Sequence, residues 1–85
     1  MRLAAKRDYV EPDIIEALEE IGISVLRLSA PGCPDLLCWH PLEGFRLLEV
    51  KHARGRLTPL QKAFGMPFSV VRSVAEALAI YGVKA

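Results

Sequence analysis

At 85 residues and 9.4 kDa the chain has room for one domain, spanning residues 1–85, and no second core. Its 11 Lys and Arg against 10 Asp and Glu leave a formal charge of +1, which excludes a histone-like polycation and an acidic solvating tail. With 52% hydrophobic and 25% charged residues the composition is globular rather than disordered, and no apolar run approaches the ~18–20 residues that cross a bilayer.

The N-terminal stretch Met1–Asp8 is basic but has no apolar segment of the kind a secretory signal needs. Two cysteines, Cys33 and Cys38, are too few for a disulfide scaffold, so a reducing cytosol is the expected compartment. The first helix is expected around Pro12–Ile21. Pro12 suits a first helical position, Asp13 and Glu16 meet the positive end of the dipole, and Ile14, Ile15, Leu18 and Ile21 share a face before Gly22 ends the run. Ser24–Leu28 reads as a short strand and Ser29–Pro34 as a loop. Asp35–His40 and Phe45–Lys51 form an antiparallel hairpin about the Pro41-Leu-Glu-Gly44 turn. After the basic loop His52–Leu57, Thr58-Pro-Leu-Gln61 has the capping-box pattern and opens a helix that Gly65-Met-Pro67 cuts short. Phe68–Arg72 is a strand. Ser73-Val-Ala-Glu76 is a second capping box, opening a last helix to about Tyr81 with Gly82 past its end. The order α-β-β-β-α-β-α predicts an α/β fold, a mixed sheet with helices packed on it.

Chemistry concentrates at one end of the hairpin. Pairing centred near residue 42 sets Asp35 opposite Glu49, with Cβ atoms within ~5 Å. Alternation sends Glu49 and Lys51 to one side of the sheet and Val50 to the other. Glu49 interrupts an apolar run, Leu47-Leu48-Glu49-Val50, where a carboxylate needs a partner. Two clustered carboxylates resist joint ionisation unless a cation sits between them, and an oxygen-only donor set suits Mg²⁺ or Mn²⁺. Such a cation polarises a phosphoryl oxygen and acidifies water, and a lysine beside it offsets charge growing in the transition state.

Pro34-Asp35, thirteen residues, then Glu49-Val50-Lys51 is the PD-(D/E)XK nuclease signature. With Glu11-Pro12, Gly32-Cys-Pro-Asp-Leu-Leu37, Leu47-Leu-Glu-Val-Lys51, Leu57-Thr-Pro-Leu-Gln61 and Val70-Val-Arg-Ser73, the chain resembles the virus-type replication-repair nuclease (VRR-NUC) group over roughly residues 7–82, especially its small stand-alone phage-type members. The resemblance implies a restriction-endonuclease-like core. It also implies a Mg²⁺ site, with Mn²⁺ able to substitute, held by Asp35, Glu49, the Val50 carbonyl and a first-helix glutamate, best matched by Glu11 with Glu16 as the alternative. Lys51 is then the catalytic lysine, and Gln61 stands near the scissile phosphate. The implied activity is endonucleolytic hydrolysis of DNA with loss of an alkoxide, structure-specific and directed at branched DNA such as Holliday junctions, in repair or recombination. The implied assembly is a homodimer in a bacterial or phage-infected cytosol. The helix after Gln61 is shorter than in typical relatives.

Each feature has a plainer reading beside it. Glu11 equally suits a helix N-terminus, and Gln61 a capping box. The loop His52, Arg54 and Arg56, with Lys62 beyond it, is either solvated or a phosphate contact. Residues 44–62 carry five Lys or Arg against the single acid Glu49, whereas residues 1–20 carry six acids against three bases, so a near-neutral chain is polarised toward nucleic-acid contact. Gly55 allows the loop a close approach to a neighbour. Cys33, Cys38 and His40 lack the knuckle spacing of zinc sites, and Cys38 reads as a small buried hydrophobe. Trp39 is expected in the core or at a dimer interface. The alternatives to a nuclease are a catalytically idle nucleic-acid-binding module on the same fold and a metal-free interaction protein. The first does not need the convergence of Asp35, Glu49 and Lys51, and the second leaves that strand unexplained. A chain this short buries only roughly 60–65% of its unfolded surface. It lacks a staple as well, so a homodimer is expected on energetic grounds, through apolar residues near the turns: Trp39, Phe64, Met66 and Phe68.

Overall fold

The computed structural model describes residues 9–84; the basic stretch Met1–Asp8 lies outside them. Helix α1 (Glu11–Glu20) is followed by strand β1 (Ser24–Arg27), strand β2 (Leu36–His40), strand β3 (Gly44–Val50), helix α2 (Pro59–Lys62), strand β4 (Ser69–Val71) and helix α3 (Val74–Ile80). The order is the expected α-β-β-β-α-β-α, with ends shifted by one or two residues. Helix α1 begins one residue early, so Glu11 rather than Pro12 takes its first position.

The four strands lie in the order β1-β2-β3-β4. The first two pairings are antiparallel and β3 pairs β4 in parallel, so the sheet is mixed. A parallel pair needs a crossover. Residues 51–68 make it, with α2 as its only regular turn. Helices α1 and α3 pack against each other and close one face of the sheet. Ile14, Leu18 and Ala77 from the helices meet Leu36, Cys38, Leu48, Val50 and Val71 from the strands in one core. Each fully enclosed Ile or Leu there contributes ~1.5–3 kcal/mol. Ile21, expected on the buried stripe of α1, caps the helix and is exposed.

Among the described residues the other face of the sheet carries no long helix. Trp39 is 41% exposed and Phe45 69%, tilted against each other with centroids 4.8 Å apart. The core reading of Trp39 is therefore wrong for the described residues: alternation puts it opposite buried Cys38, and none of the described elements covers it. Met66 is exposed too, while Phe64 and Phe68, expected to be exposed, are half-buried edge-to-face partners. Leu37, Phe45, Leu47, Met66 and Phe68 line an apolar groove of ≈ 570 Å³ on this face.

Candidate active site

Strands β2 and β3 pair Leu36 with Leu48, Leu37 with Leu47 and Cys38 with Arg46. This is the register that a hairpin centred on residue 42 predicts, and one step further along it Asp35 stands opposite Glu49. Strand β2 has ended by then. The Asp35 side chain continues the bonding, its Oδ2 accepting the Val50 N–H at 2.8 Å. On the other side of β3 the Lys51 N–H donates to the Val71 carbonyl at 3.0 Å. The end of β3 is thus pinned from both neighbours, and its side chains project from a fixed backbone.

Glu49 is 2% exposed, between two buried apolar residues. Its Oε2 accepts from Gln61 Nε2 at 3.0 Å and lies 3.7 Å from Lys51 Nζ. Its Oε1 is buried and has no hydrogen-bond partner. Burial, and then the charge of Asp35 beside it, push the Glu49 carboxyl up from the ordinary range to about 7, against the pull of Lys51. A crowded carboxylate pair with one oxygen lacking a donor, and a lysine at its rim, is a donor set that fits a hard divalent cation.

Gln61 serves two ends at once. Its N–H donates to Thr58 Oγ1 at 3.2 Å and its Oε1 accepts the Thr58 N–H at 2.9 Å, completing the expected capping box. Its amide nitrogen is the donor to Glu49. Gly32, at φ +75°, brings the loop before β2 onto α2, where a Cβ would stand 3.1 Å from that of Leu60. Ser73 Oγ accepts the Glu76 N–H as expected, but Glu76 reaches back to the Arg72 N–H rather than that of Ser73.

Glu11 is engaged by a cation. It is 1% exposed, and its Oε2 is 3.1 Å from Arg27 Nε. Among the described residues no three His, Cys, Asp or Glu side chains gather as a metal-holding group, and Glu16 is exposed on α1. The structure therefore brings together Asp35, Glu49, Lys51 and Gln61, and it pairs Glu11 with Arg27. Cys38 and His40 sit on the helical side. Cys38 is wholly buried, and His40 Nδ1 accepts the Leu42 and Glu43 N–H groups at the hairpin turn.

In the basic loop His52, Arg54, Arg56 and Lys62 are all exposed. Arg72 Nη1 braces the loop, donating to the carbonyls of His52 at 2.9 Å and Gly55 at 2.7 Å. A methyl at Gly55 would come 3.2 Å from Lys51 Cδ, so the loop lies directly on the lysine stem. Sequence reasoning assigned no role to Arg27 or Arg72. Each is a cation at the end of a short apolar strand, where a carboxylate or carbonyl partner is to be sought.

The family model for the VRR-NUC domain matches residues 5–74. The chain belongs to the VRR-NUC family. A solved structure described as a VRR_NUC domain agrees with this fold at a TM-score of 0.68 and 26% identity, covering 86% of this chain and 90% of that one. No curated protein matches the chain. The VRR-NUC match, 5–74, ends where α3 begins and contains every residue of the candidate site. The fold is thus of the nuclease type, with Asp35 of the PD text just before β2 and Glu49 of the ExK text on β3.

Proposed function

We propose that this VRR-NUC protein is a divalent-metal-dependent endonuclease that hydrolyses DNA phosphodiesters, with branched DNA such as a Holliday junction as substrate. The observation that carries the reading is the convergence of Asp35, Glu49 and Lys51 at the end of β3, with the buried Glu49 Oε1 lacking a donor. Asp35, Glu49 and the Val50 carbonyl would hold Mg²⁺ or Mn²⁺, with Glu11 as a further ligand once it leaves Arg27. The cation supplies polarisation of the phosphoryl oxygen and a lowered pKa for the attacking water. Lys51 Nζ offsets negative charge as it grows on the phosphate. His52, Arg54, Arg56 and Lys62 hold the DNA backbone in register beside it.

Cutting two strands symmetrically calls for two such sites in one particle, and a C2 homodimer provides them. The face carrying Trp39, Phe45, Met66 and the ≈ 570 Å³ groove supports that assembly, because pairing would remove apolar surface that the protomer leaves in water. Both cysteines are free thiols, in keeping with a reducing cytosolic compartment.

The test is a cleavage panel of duplex, nicked, flap, splayed and four-way-junction DNA, with Mg²⁺, with Mn²⁺ and with EDTA. The expected result is metal-dependent cutting that favours the junction and stops in EDTA. Binding of the same substrates without cleavage under any metal would replace this reading with the idle nucleic-acid-binding module. Sedimentation equilibrium at micromolar concentration tests the dimer. A 9.4 kDa species throughout, also with junction DNA and metal, would exclude it.

A further inference from the structure

Gln61 makes a contact that its capping role does not require. A capping box needs only the oxygen of the side chain at this position, since a backbone N–H is what it accepts. That requirement also fixes the amide. The Thr58 N–H can only donate, so the atom it meets at 2.9 Å is Oε1, and the NH₂ group must face the other way. It faces Glu49 Oε2 at 3.0 Å, twelve residues back in the chain. Glu49 is thereby held along one edge. Oε2 takes the Gln61 amide with Lys51 Nζ 3.7 Å away, and Oε1 is left buried with no donor.

The anchor behind this contact is stiff. Helix α2 is one turn long, and Thr58 ties it at both levels. Its Oγ1 accepts the Gln61 N–H at 3.2 Å and its carbonyl accepts the Lys62 N–H at 2.9 Å. The Gln61 side chain cannot swing away from Glu49 without giving up the Thr58 N–H.

We propose that Gln61 is a positioning residue: the capping box fixes its amide, and the amide fixes the Glu49 carboxylate in the rotation that leaves Oε1 for a divalent cation. The inference deepens the metal-site reading above and rests on it. It also accounts for a glutamine at a position where glutamate caps equally well, because glutamate would face Glu49 with an oxygen and no donor. The amide oxygen and one amide N–H are engaged inside the protein, and it is through this pair of bonds that Gln61 orients Glu49.

The experiment compares Gln61→Met, which keeps side-chain length but has no amide, with Thr58→Val, which removes only the hydroxyl half of the cap. Mn²⁺ affinity of the full chain is measured by calorimetry without DNA, alongside the thermal midpoint. Gln61→Met is expected to weaken Mn²⁺ binding roughly 10–100-fold, the usual cost of removing a group that orients a ligand. Thr58→Val keeps the Thr58 N–H that holds the amide oxygen, so it is expected to lower the midpoint and to cost less Mn²⁺ affinity than Gln61→Met. A Gln61→Met protein that binds Mn²⁺ like wild type overturns the proposal. In metal-free protein the Gln61 side-chain amide protons are expected to shift when Glu49→Ala is introduced. Amide protons that ignore Glu49→Ala overturn the proposal independently of any metal. A wild-type chain that takes up no Mn²⁺ overturns the metal reading and the role given to Oε1, while the amide shift separately shows whether Gln61 holds Glu49.

Discussion

The two ends of the β2–β3 hairpin both bury polar side chains, and they do so in opposite ways. At the turn end Cys38 and Tyr81 are enclosed, and burial pushes the thiol up to about 11 and the phenol up to about 12. Both groups simply stay neutral. The Tyr81 hydroxyl stands against the Cys38 thiol and the Arg46 side chain, and the Arg46 guanidinium lies 5.4 Å from the Tyr81 ring centre. At the open end Asp35 and Glu49 are both acids, so burial there creates a conflict of charge that neutrality cannot wholly remove. The comparison shows where a ligand is called for. A neutral thiol and phenol beside an arginine that already has a carboxylate partner ask for nothing, whereas crowded carboxylates ask for a cation.

The largest effect is expected from breaking the open end. Asp35→Asn or Glu49→Gln should reduce cleavage to background in a gel assay while the far-UV spectrum and junction binding persist. Turnover at the wild-type rate in either variant would show that the pair is not the reacting centre. Lys51→Ala should cost about 10²–10³-fold in the cleavage rate, the scale of losing one charge-stabilising donor, with DNA affinity changed far less.

The conflict of charge should also be visible in the metal-free protein as a pH effect. Because the folded Glu49 carboxyl is raised to about 7 from 4.5, the fold binds its proton more tightly than the unfolded chain does. This contribution to stability is complete below about pH 4.5 and is lost as pH rises through about 7. The thermal midpoint of the EDTA-treated protein should therefore carry a falling component over that window. Glu49→Gln should remove it, and a pH profile identical in wild type and variant would contradict the assignment. Mn²⁺ should restore the midpoint at pH 7 and above by binding the ionised pair.

The basic loop offers a smaller test. Arg54→Ala with Arg56→Ala should weaken binding to all DNA sequences alike and flatten the log–log salt dependence by about one unit per lost phosphate contact. An unchanged slope would mean that the loop faces solvent in the complex. The smallest effect belongs to the turn end. Tyr81→Phe removes a hydroxyl whose neighbours are the Cys38 thiol and the Arg46 side chain, so stability should change by no more than about 1 kcal/mol, with cleavage unaltered. A loss of several-fold in activity would join the two ends in a way the geometry does not.

The hairpin was legible because its determinants are local. A four-residue turn sets the centre of pairing, the two-residue period assigns faces, and Asp35 comes opposite Glu49 by counting. The Thr58–Gln61 cap and the short helix behind it were legible for the same reason. Trp39 was misread because alternation tells which face a residue takes but not whether another element covers that face. The partner of Glu11 was not legible either. The place of Glu11 at the start of α1 follows from local signals, but its neighbour there, Arg27, comes from a strand whose packing the sequence does not state.

By itself, then, the sequence determined the order of elements, the register of β2 on β3, the placing of two acids and a lysine at one edge, and the family text that surrounds them. These depend on steric and hydrogen-bonding rules acting within a few residues. Only the tertiary structure decided that α1 and α3 cover one face and leave Trp39 and Phe45 exposed on the other, that Arg72 braces the basic loop on Lys51, and that the Gln61 amide holds Glu49 by one oxygen. Those contacts join residues twelve or more positions apart, through packing that no local pattern encodes.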